Sequence, residues 1–493
     1  MFKTITPEQA GISSRAIMEF VKTLEEYHLA PHNILMARGN DIFAECYFAP
    51  FHKDFKHRMY SISKSFVAVA IGVLEEEGKL SLDDKVIDYF PEMAKNENYN
   101  ELLGEQTIRD MLKMTTSHYS GVNWFYSGTK DRRECYFASA GQRHSGTIFN
   151  YDSAGSYMMN CIVEQIEGKP FLEVLKDRFL CKCGFSEDAY CIDAPGGYSF
   201  GDSGVMCTGR DLLTFCRFVA NYGTWDGVRY MNEDFLKTAT SKLVDNSSCG
   251  FVSYGNYGYG YQIWKAPRDG FAFVGMGDQF AIYDPQTDFI FVINSDNQGN
   301  APVSRAILYH CLYKNIVEKL GAPLAEDPEA YKELTEYLST RKLYCYQGDK
   351  TSPFAEKISG VTYALDENKM GIKTVRFDFD GDKGTMTYEN AQGLKTLTLG
   401  FGHNEFQKFP QEGYSDLIAT YPEPGHMYDS AVSAAWTEER KLHIKVQIID
   451  KYFGVLDMIF AFKNEDLLSI EMIKTAEAFL DEYTGIANGK AVR

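Results

Sequence analysis

Residues 65–74 form the most restrictive segment of this sequence, because apolar side chains recur there on nearly every side of a helix. They include Phe66, Val67, Val69, Ala70, Ile71, Val73 and Leu74. A helix that is apolar all round must be enclosed by other elements. The run is shorter than the ~20 residues that cross a bilayer. The sequence therefore predicts a central, buried helix inside a large globular domain.

The chain has 493 residues, which is enough for two or more domains. Hydrophobic residues make up 44% and charged residues 24%, so broad disorder is not expected. The formal charge of -18 argues against a nucleic acid or an anionic membrane surface as a partner. We expect a small molecule or a short peptide as the substrate, and the oligomeric state stays open.

Eleven cysteines are scattered through the chain. An odd number spread in this way favours reduced thiols over a disulfide framework. Cys181, Cys183 and Cys191 have no matching Cys/His pair, so buried free thiols are favoured over a metal site. We expect no metal and no cofactor. The N-terminus has no charged-then-apolar signal pattern either, and a cytoplasmic protein is expected.

The order of the predicted elements indicates one sheet built from two distant parts of the chain. Ser13 or Ser14 can cap a first helix, and residues 33–44 read as two strands around a turn. Residues 85–235 are mostly helical or loop-like. Strand patterns return at 258–296, with a turn at residues 284–287, and a helix follows at 303–320. This order predicts an antiparallel sheet with helices on its faces.

The C-terminal part of the chain has a different pattern. A charged, helical linker is predicted over 323–350, between a first domain over 1–322 and a mainly β domain over 351–493. Strand-like alternation in the last part occurs at residues 374–379, 385–388, 397–399 and 442–446. A sandwich or a barrel is the expected architecture.

Two further motifs have simple explanations. Residues 201–204, Gly-Asp-Ser-Gly, match the tetrapeptide around a trypsin-like serine, but the surrounding helical pattern does not supply the two-barrel fold that such a site needs. Asp378, Asp380, Asp382 and Glu389 fit a calcium-loop template that lacks its required glycine. A hairpin with an Asp-Gly turn is favoured at that place.

Ser61 and Lys64 stand at the start of the apolar helix with a spacing of three residues. This spacing brings two side chains onto one helix face. A serine hydroxyl is a poor nucleophile and needs a base beside it, and an apolar surrounding disfavours the charged form of an amine. Backbone N–H groups at the start of a helix can stabilise an oxyanion. Ser-x-x-Lys also occurs by chance, so its neighbours decide what it means.

Five blocks in a fixed order resemble the β-lactamase and penicillin-binding-protein superfamily of serine hydrolases. They are residues 57–92 around Ser-x-x-Lys, 107–112 (TIRDML), 146–155 (GTIFNYDSAG), 201–227 and 273–279 (FVGMGDQ). The resemblance covers about residues 5–320. It implies a β-lactamase-like α/β (α+β) fold, in which an antiparallel sheet is flanked by helices and joined by a helical subdomain. The C-terminal domain resembles the lipocalin-like appendages of some members.

The resemblance also implies roles for individual residues. Ser61 is the acylated nucleophile, Lys64 is its proton acceptor or relay, and Tyr151 is the third catalytic residue. The oxyanion hole is expected to combine the backbone N–H groups of Ser61 and Met276. These roles predict an acyl-enzyme mechanism.

Two departures from the family pattern narrow the expected chemistry. Ser153 replaces an asparagine of the second motif, and Phe273 replaces the lysine or histidine of the third motif, followed by Val274 and Gly275. The missing cation favours an uncharged ester, amide or peptide, and makes β-lactam or D,D-peptide hydrolysis less expected. The alternative is a weakly active or inactive binding or regulatory protein on the same fold.

Overall fold

The computed structural model describes residues 2–119, 131–247, 256–300, 303–415, 423–477 and 479–492. The chain divides into two compact units, with the boundary between Lys342 and Leu343. The segment predicted as a linker contains the helix Pro328–Ser339, and this helix belongs to the first unit, where it packs against the helix Ser14–Glu26.

The first unit combines short and long elements, which are numbered in chain order. Its helices are α1 (Pro7–Ala10), α2 (Ser14–Glu26), α3 (Ser63–Glu76), α4 (Glu101–Gly104), α5 (Ile108–Leu112), α6 (Arg132–Ala138), α7 (Ser153–Glu167), α8 (Phe171–Leu175), α9 (Gly209–Ala220), α10 (Glu233–Ala239), α11 (Val303–Asn315) and α12 (Pro328–Ser339). Its strands are β1 (Lys3–Thr4), β2 (Pro31–Arg38), β3 (Asp41–Tyr47), β4 (His57–Arg58), β5 (Tyr190–Cys191), β6 (Asp193–Ala194), β7 (Tyr198–Ser199), β8 (Val205–Cys207), β9 (Thr224–Trp225), β10 (Val228–Arg229), β11 (Trp264–Lys265), β12 (Phe271–Gly275), β13 (Gln279–Asp284) and β14 (Phe289–Ser295).

The main sheet of this unit has seven strands in the order β1-β3-β2-β14-β13-β12-β11. All neighbouring strands are antiparallel except β1 and β3. Strand β2 pairs with β14 over most of its length, for example Met36 with Phe291, although the two strands are far apart in the chain. The predicted sheet built from both ends of the domain is therefore confirmed.

Helices cover both faces of the sheet, as its largely buried strands require. On one face α2 and α11 pack against it, and the rings of Phe20 and Phe291 meet edge to face at 5.8 Å. On the other face α9 packs against β2, β13 and β14, and the Phe215 ring lies 5.1 Å from that of Phe273. Alternate residues of each strand thus face different helices.

Helix α3 is the centre of the helical part, as the sequence predicts. Its residues from 63 to 74 are all buried, and α7, α8 and α10 pack around it. Phe66 stacks on Phe215 of α9 with ring centroids 3.7 Å apart, so α3 is tied to the helix that covers the sheet. The enclosure fixes the position of everything at the start of α3.

The predicted strand over residues 258–264 is mostly wrong. Only Trp264–Lys265 forms a regular strand there. A Cβ at Gly260 would lie 2.0 Å from the carbonyl oxygen of Ala239, at the end of α10, so the chain passes too close for a side chain. Gln262 has a φ of 55°, in the left-handed region, which breaks strand geometry. The alternating aromatic residues therefore line a tight turn.

The second unit is a closed β-barrel, which confirms the mainly β prediction. It contains α13 (Ala355–Ile358) and the strands β15 (Thr362–Leu365), β16 (Thr374–Asp380), β17 (Lys383–Asn390), β18 (Gly393–Phe401), β19 (Glu405–Lys408), β20 (Asp429–Glu438), β21 (Lys441–Ile449), β22 (Phe453–Asn464), β23 (Leu467–Thr475) and β24 (Gly485–Val492). Nine strands close in the order β18-β17-β16-β15-β24-β23-β22-β21-β20, and a parallel pairing of β20 with β18 completes the ring. Strand β19 also pairs with β20.

The calcium-like motif lies in the β16–β17 hairpin, in agreement with the sequence interpretation. Asp380 pairs with Lys383, and the two-residue loop between them begins with Gly381 at a φ of 62°. A glycine adopts this conformation without a steric penalty. The acidic residues of the motif therefore belong to a tight hairpin.

Replacing Phe215 with alanine is expected to destabilise the first unit by about 3–5 kcal/mol, because it opens a cavity between α9, α3 and the sheet. Urea unfolding of the full chain measures the loss. Tyr27→Ala is the matched control, since 54% of the Tyr27 surface is exposed. The packing described above would be contradicted if both variants unfolded at the same urea concentration.

Candidate active site

Ser61 lies on a tight turn between a short strand and the buried helix. The turn Tyr60–Ile62 is a single 3-10 turn that leads directly into α3. Tyr60 has a φ of 47°, which is unusual for a bulky residue. The Arg58 guanidinium lies 4.3 Å from the centre of the Tyr60 ring, a cation–π contact that holds the ring in place. Ser61 therefore occupies a geometrically restrained position.

Lys64 reaches back to Ser61 from the first turn of α3. Its Nζ lies 2.9 Å from the Ser61 Oγ, at hydrogen-bond distance, and donates a second bond to the backbone carbonyl of Asp202 at 2.6 Å. Lys64 is 1% exposed, whereas Ser61 is half-buried. The predicted proximity of the two side chains is confirmed, and their catalytic roles stay a prediction.

Tyr151 joins this pair from the segment that precedes α7. The Lys64 Nζ lies 5.3 Å from the centre of the Tyr151 ring. The same ring stacks on Trp264 of β11, with centroids 5.6 Å apart and planes 23° apart. The structure therefore brings together the three residues for which the sequence predicts catalytic roles.

Asp152 fixes the backbone next to Tyr151. Its carboxylate caps α7 by accepting from the N–H groups of Ala154 and Gly155 at 3.0 and 3.2 Å, and it accepts from the Thr116 hydroxyl at 2.8 Å. Burial opposes the charged form, but the nearby His118, the Thr116 hydroxyl and the Gly155 N–H favour it and together lower the pKa of the carboxyl. A buried, charged cap of this kind restrains the start of α7 and hence Tyr151.

The third motif approaches the Ser61 turn closely. A Cβ at Gly275, the last residue of β12, would lie 2.5 Å from the carbonyl oxygen of Met59. Beyond it, the Gln279 side-chain amide donates to the carbonyl of Met276 at 3.1 Å and so braces the following turn. This arrangement places Met276 in the turn directly after the point of closest approach.

The four residues predicted to contact substrate lie in different surroundings. Ser153 is half-buried at the first position of α7. Gly275 faces the Ser61 turn, and Val274 packs with the cluster on the α2 and α11 face of the sheet. Phe273 is fully buried against α9, and its contact with substrate stays a prediction. The sheet alternation turns it into the core.

Sequence reasoning missed Asp202 and its partner Arg132. The backbone carbonyl of Asp202 accepts from Lys64, while its carboxylate accepts two hydrogen bonds from Arg132 at 3.0 and 3.2 Å. Ser203, the serine of the trypsin-like tetrapeptide, accepts from the Arg58 guanidinium at 3.0 Å. Asp202 and Ser203 both belong to the Gly-Asp-Ser-Gly tetrapeptide, whose likeness to a trypsin-like serine motif does not indicate these contacts.

Comparison with known proteins agrees with this geometry. The model of the family "Beta-lactamase" matches residues 33–310, more than half of the chain. The chain belongs to the β-lactamase-related serine hydrolase superfamily. The match spans the Ser61 turn, Tyr151 and the third motif. It confirms the resemblance that the five sequence blocks indicated.

Individual relatives are distant. A 6-aminohexanoate-dimer hydrolase of Paenarthrobacter ureafaciens is 25% identical over 281 residues, which cover 52% of this chain and 70% of the relative. A solved structure described as a 6-aminohexanoate-dimer hydrolase from Bacillus anthracis has a TM-score of 0.54 at 18% identity, with 65% and 88% of the two chains covered. The octameric penicillin-binding protein homologue from Pyrococcus abyssi has a TM-score of 0.50 at 14% identity and covers 96% of this chain and 99% of its own. At these identities the two structures support the fold alone.

Among the residues that the structure describes, no helix is both long and apolar enough to cross a membrane. Within the same residues, no three His, Cys, Asp or Glu side chains form a group that could hold a metal ion.

Gly275→Ala is expected to slow acylation of Ser61 by about 10²-fold, because the added Cβ forces β12 away from the Ser61 turn. The rate of labelling by a fluorophosphonate measures the effect. Gly321→Ala is the control, since nothing lies within 4 Å of a Cβ at that position. Equal labelling rates in the two variants would show that the close approach has no role in the reaction.

Proposed function

We propose that the protein hydrolyses a small ester, amide or peptide through an acyl-enzyme on Ser61. The observation that carries this proposal is the 2.9 Å contact between the Ser61 Oγ and the Nζ of the buried Lys64. A serine hydroxyl becomes an effective nucleophile when a base lies within hydrogen-bond reach. Tyr151, at the same lysine, supplies a third group that can share the proton.

The proposed reaction has two acyl transfers. The Ser61 Oγ attacks the substrate carbonyl while the Lys64 amine accepts the hydroxyl proton, and a tetrahedral intermediate forms. The N–H groups of Ser61 and Met276 donate to its oxyanion. The proton then passes through Lys64 and Tyr151 to the leaving oxygen or nitrogen as its bond to the acyl carbon breaks. Water attacks the ester on Ser61, gives its proton to the same pair, and releases the acid and the free hydroxyl.

The surroundings of Tyr151 favour an uncharged, partly apolar substrate. Trp264 and Tyr151 pack against a buried cluster that includes Phe149 and Tyr259. The position where related enzymes carry a lysine or histidine holds Phe273, so this strand supplies no cation for a substrate carboxylate. The relative named 6-aminohexanoate-dimer hydrolase supports including short amino-acid oligomers among the candidates.

Ser61→Ala is expected to abolish labelling by a fluorophosphonate, because the variant lacks the oxygen that bonds to phosphorus. Labelled protein is measured by mass spectrometry of the intact chain. Ser81→Ala is the control: Ser81 is exposed in the turn after α3, and its loss should leave labelling unchanged. Persistent labelling of Ser61→Ala would assign the nucleophile to another residue.

A second candidate function is a binding or regulatory protein with weak or no catalysis. The altered second and third motifs, at Ser153 and Phe273, favour it, whereas the Ser61–Lys64 contact argues against it. Correctly folded wild-type protein that reacts with no fluorophosphonate would support this second candidate and exclude the first.

Neutral acyl esters and amides are expected to have a kcat/KM at least about tenfold above that of matched substrates with a free carboxylate on the acyl group. The carboxylate gives up hydrogen bonds to water and finds no cation on β12, and one charge-assisted hydrogen bond is worth about 1.5–3 kcal/mol. A chromogenic panel with a cephalosporin as the β-lactam comparison measures this ratio. Preferred turnover of the carboxylate-bearing members would contradict the proposed substrate class.

A further inference from the structure

We propose that the buried Arg132–Asp202 ion pair positions the proton-accepting lysine of the active site. The proposal rests on the proposed function, because it assigns Arg132 and Asp202 a task in the acylation of Ser61. Both act through the backbone carbonyl of Asp202, which accepts from the Lys64 Nζ at 2.6 Å.

The carbonyl of Asp202 restricts how the Lys64 amine is oriented when it accepts a proton. A neutral amine has two N–H groups and one lone pair, and only the lone pair can take the proton of Ser61. A carbonyl oxygen accepts and never donates, so it must attract an N–H group. In the structure the Lys64 Nζ lies within hydrogen-bond distance of both oxygens. With one N–H held at Asp202, the lone pair can replace the N–H that points to the Ser61 Oγ, 2.9 Å away, and accept its proton.

The carboxylate of Asp202 is anchored by Arg132 in a water-excluded place. Two hydrogen bonds join the groups at 3.0 and 3.2 Å, and both side chains are almost completely buried. The Arg132 guanidinium also lies 4.0 Å from the ring centre of Tyr157 and 4.7 Å from that of Phe200. Two parallel hydrogen bonds between a guanidinium and a carboxylate fix both partners in distance and in angle, and the two rings hold the guanidinium in place.

Ser203 provides a second anchor for the same turn. The Arg58 guanidinium donates to the Ser203 carbonyl and hydroxyl oxygens, each at 3.0 Å. Arg58 itself belongs to β4, just before the Ser61 turn. Asp202 is therefore held by α6 through Arg132, and its neighbour is held by the strand that leads to the nucleophile.

Stability alone does not explain this arrangement. A buried ion pair contributes little net stability compared with apolar residues of similar size, because both charges lose their hydration. It does impose one geometry on the backbone that carries it. A displacement of about 1 Å near reacting groups can reduce a rate by roughly 10²-fold, so an accurately placed Asp202 carbonyl affects catalysis directly.

The test compares Arg132→Met and Asp202→Asn with wild type in the full chain. We expect the acylation rate of Ser61 by a neutral chromogenic ester to fall by about 10–100-fold, while KM for the same ester changes less than about threefold. Active-site titration with a fluorophosphonate normalises each rate to correctly folded enzyme. The acylation rate of the double variant should be no lower than that of the slower single variant, because both changes break the same ion pair.

Arg217→Met is the matched control. Arg217 is also buried and paired, with its Nη1 2.6 Å from the Asp288 Oδ1, but it lies at the far end of α9. This variant should unfold more easily and keep the wild-type acylation rate per active site. If Arg132→Met does not fold, Arg132→Lys replaces it, since that variant keeps the charge and loses the two-point contact.

The outcomes separate the two proposals. A wild type that no fluorophosphonate labels overturns the proposed function and this inference together. A labelled wild type whose Arg132 and Asp202 variants acylate at the wild-type rate overturns the positioning role alone. Equal rate losses in Arg132→Met and Arg217→Met would assign Arg132 a purely structural role and also overturn the inference.

Discussion

The enclosure of helix α3 is the constraint on which the rest of the first unit depends. The helix is apolar on nearly every side, so it is stable only when α7, α8, α9 and α10 surround it. The same enclosure buries Lys64 in its first turn and leaves Ser61 half-buried in the turn before it. Burial of the hydrophobic segment and placement of a reactive pair are therefore consequences of one packing arrangement.

Two buried carboxylates near the site each have specific hydrogen-bond partners. The Asp152 carboxylate accepts hydrogen bonds from backbone N–H groups and the Thr116 hydroxyl, and the Asp202 carboxylate accepts them from Arg132. Unpaired, either carboxylate would be expensive to bury in this interior. Paired, each of them restrains a backbone segment that carries a candidate catalytic contact. These hydrogen bonds therefore hold the backbone next to Tyr151 and Lys64 in one conformation.

The sequence predicted local relations well and tertiary relations unevenly. The Ser61–Lys64 contact follows from a spacing of three residues on a helix, and Tyr151 was found through its block. The burial of Phe273 could not be predicted from the sequence, because strand alternation gives two faces, and only the packing of α9 decides which is inside. The role of Asp202 was not predictable from residue type, because a backbone carbonyl belongs to every residue. The strand expected at 258–264 does not form because Gly260 lets the backbone pass close to the end of α10, which residue type alone does not indicate.

The stacking of Trp264 on Tyr151 has an optical consequence. Indole emission responds to the polarity and charge next to the ring, and this ring lies 5.6 Å from that of a candidate proton-sharing tyrosine. The acyl group proposed on Ser61 is expected to change the surroundings of that tyrosine. The protein therefore carries a tryptophan beside its candidate catalytic residues, and stopped-flow emission is expected to follow formation and breakdown of the proposed acyl-enzyme without a labelled substrate.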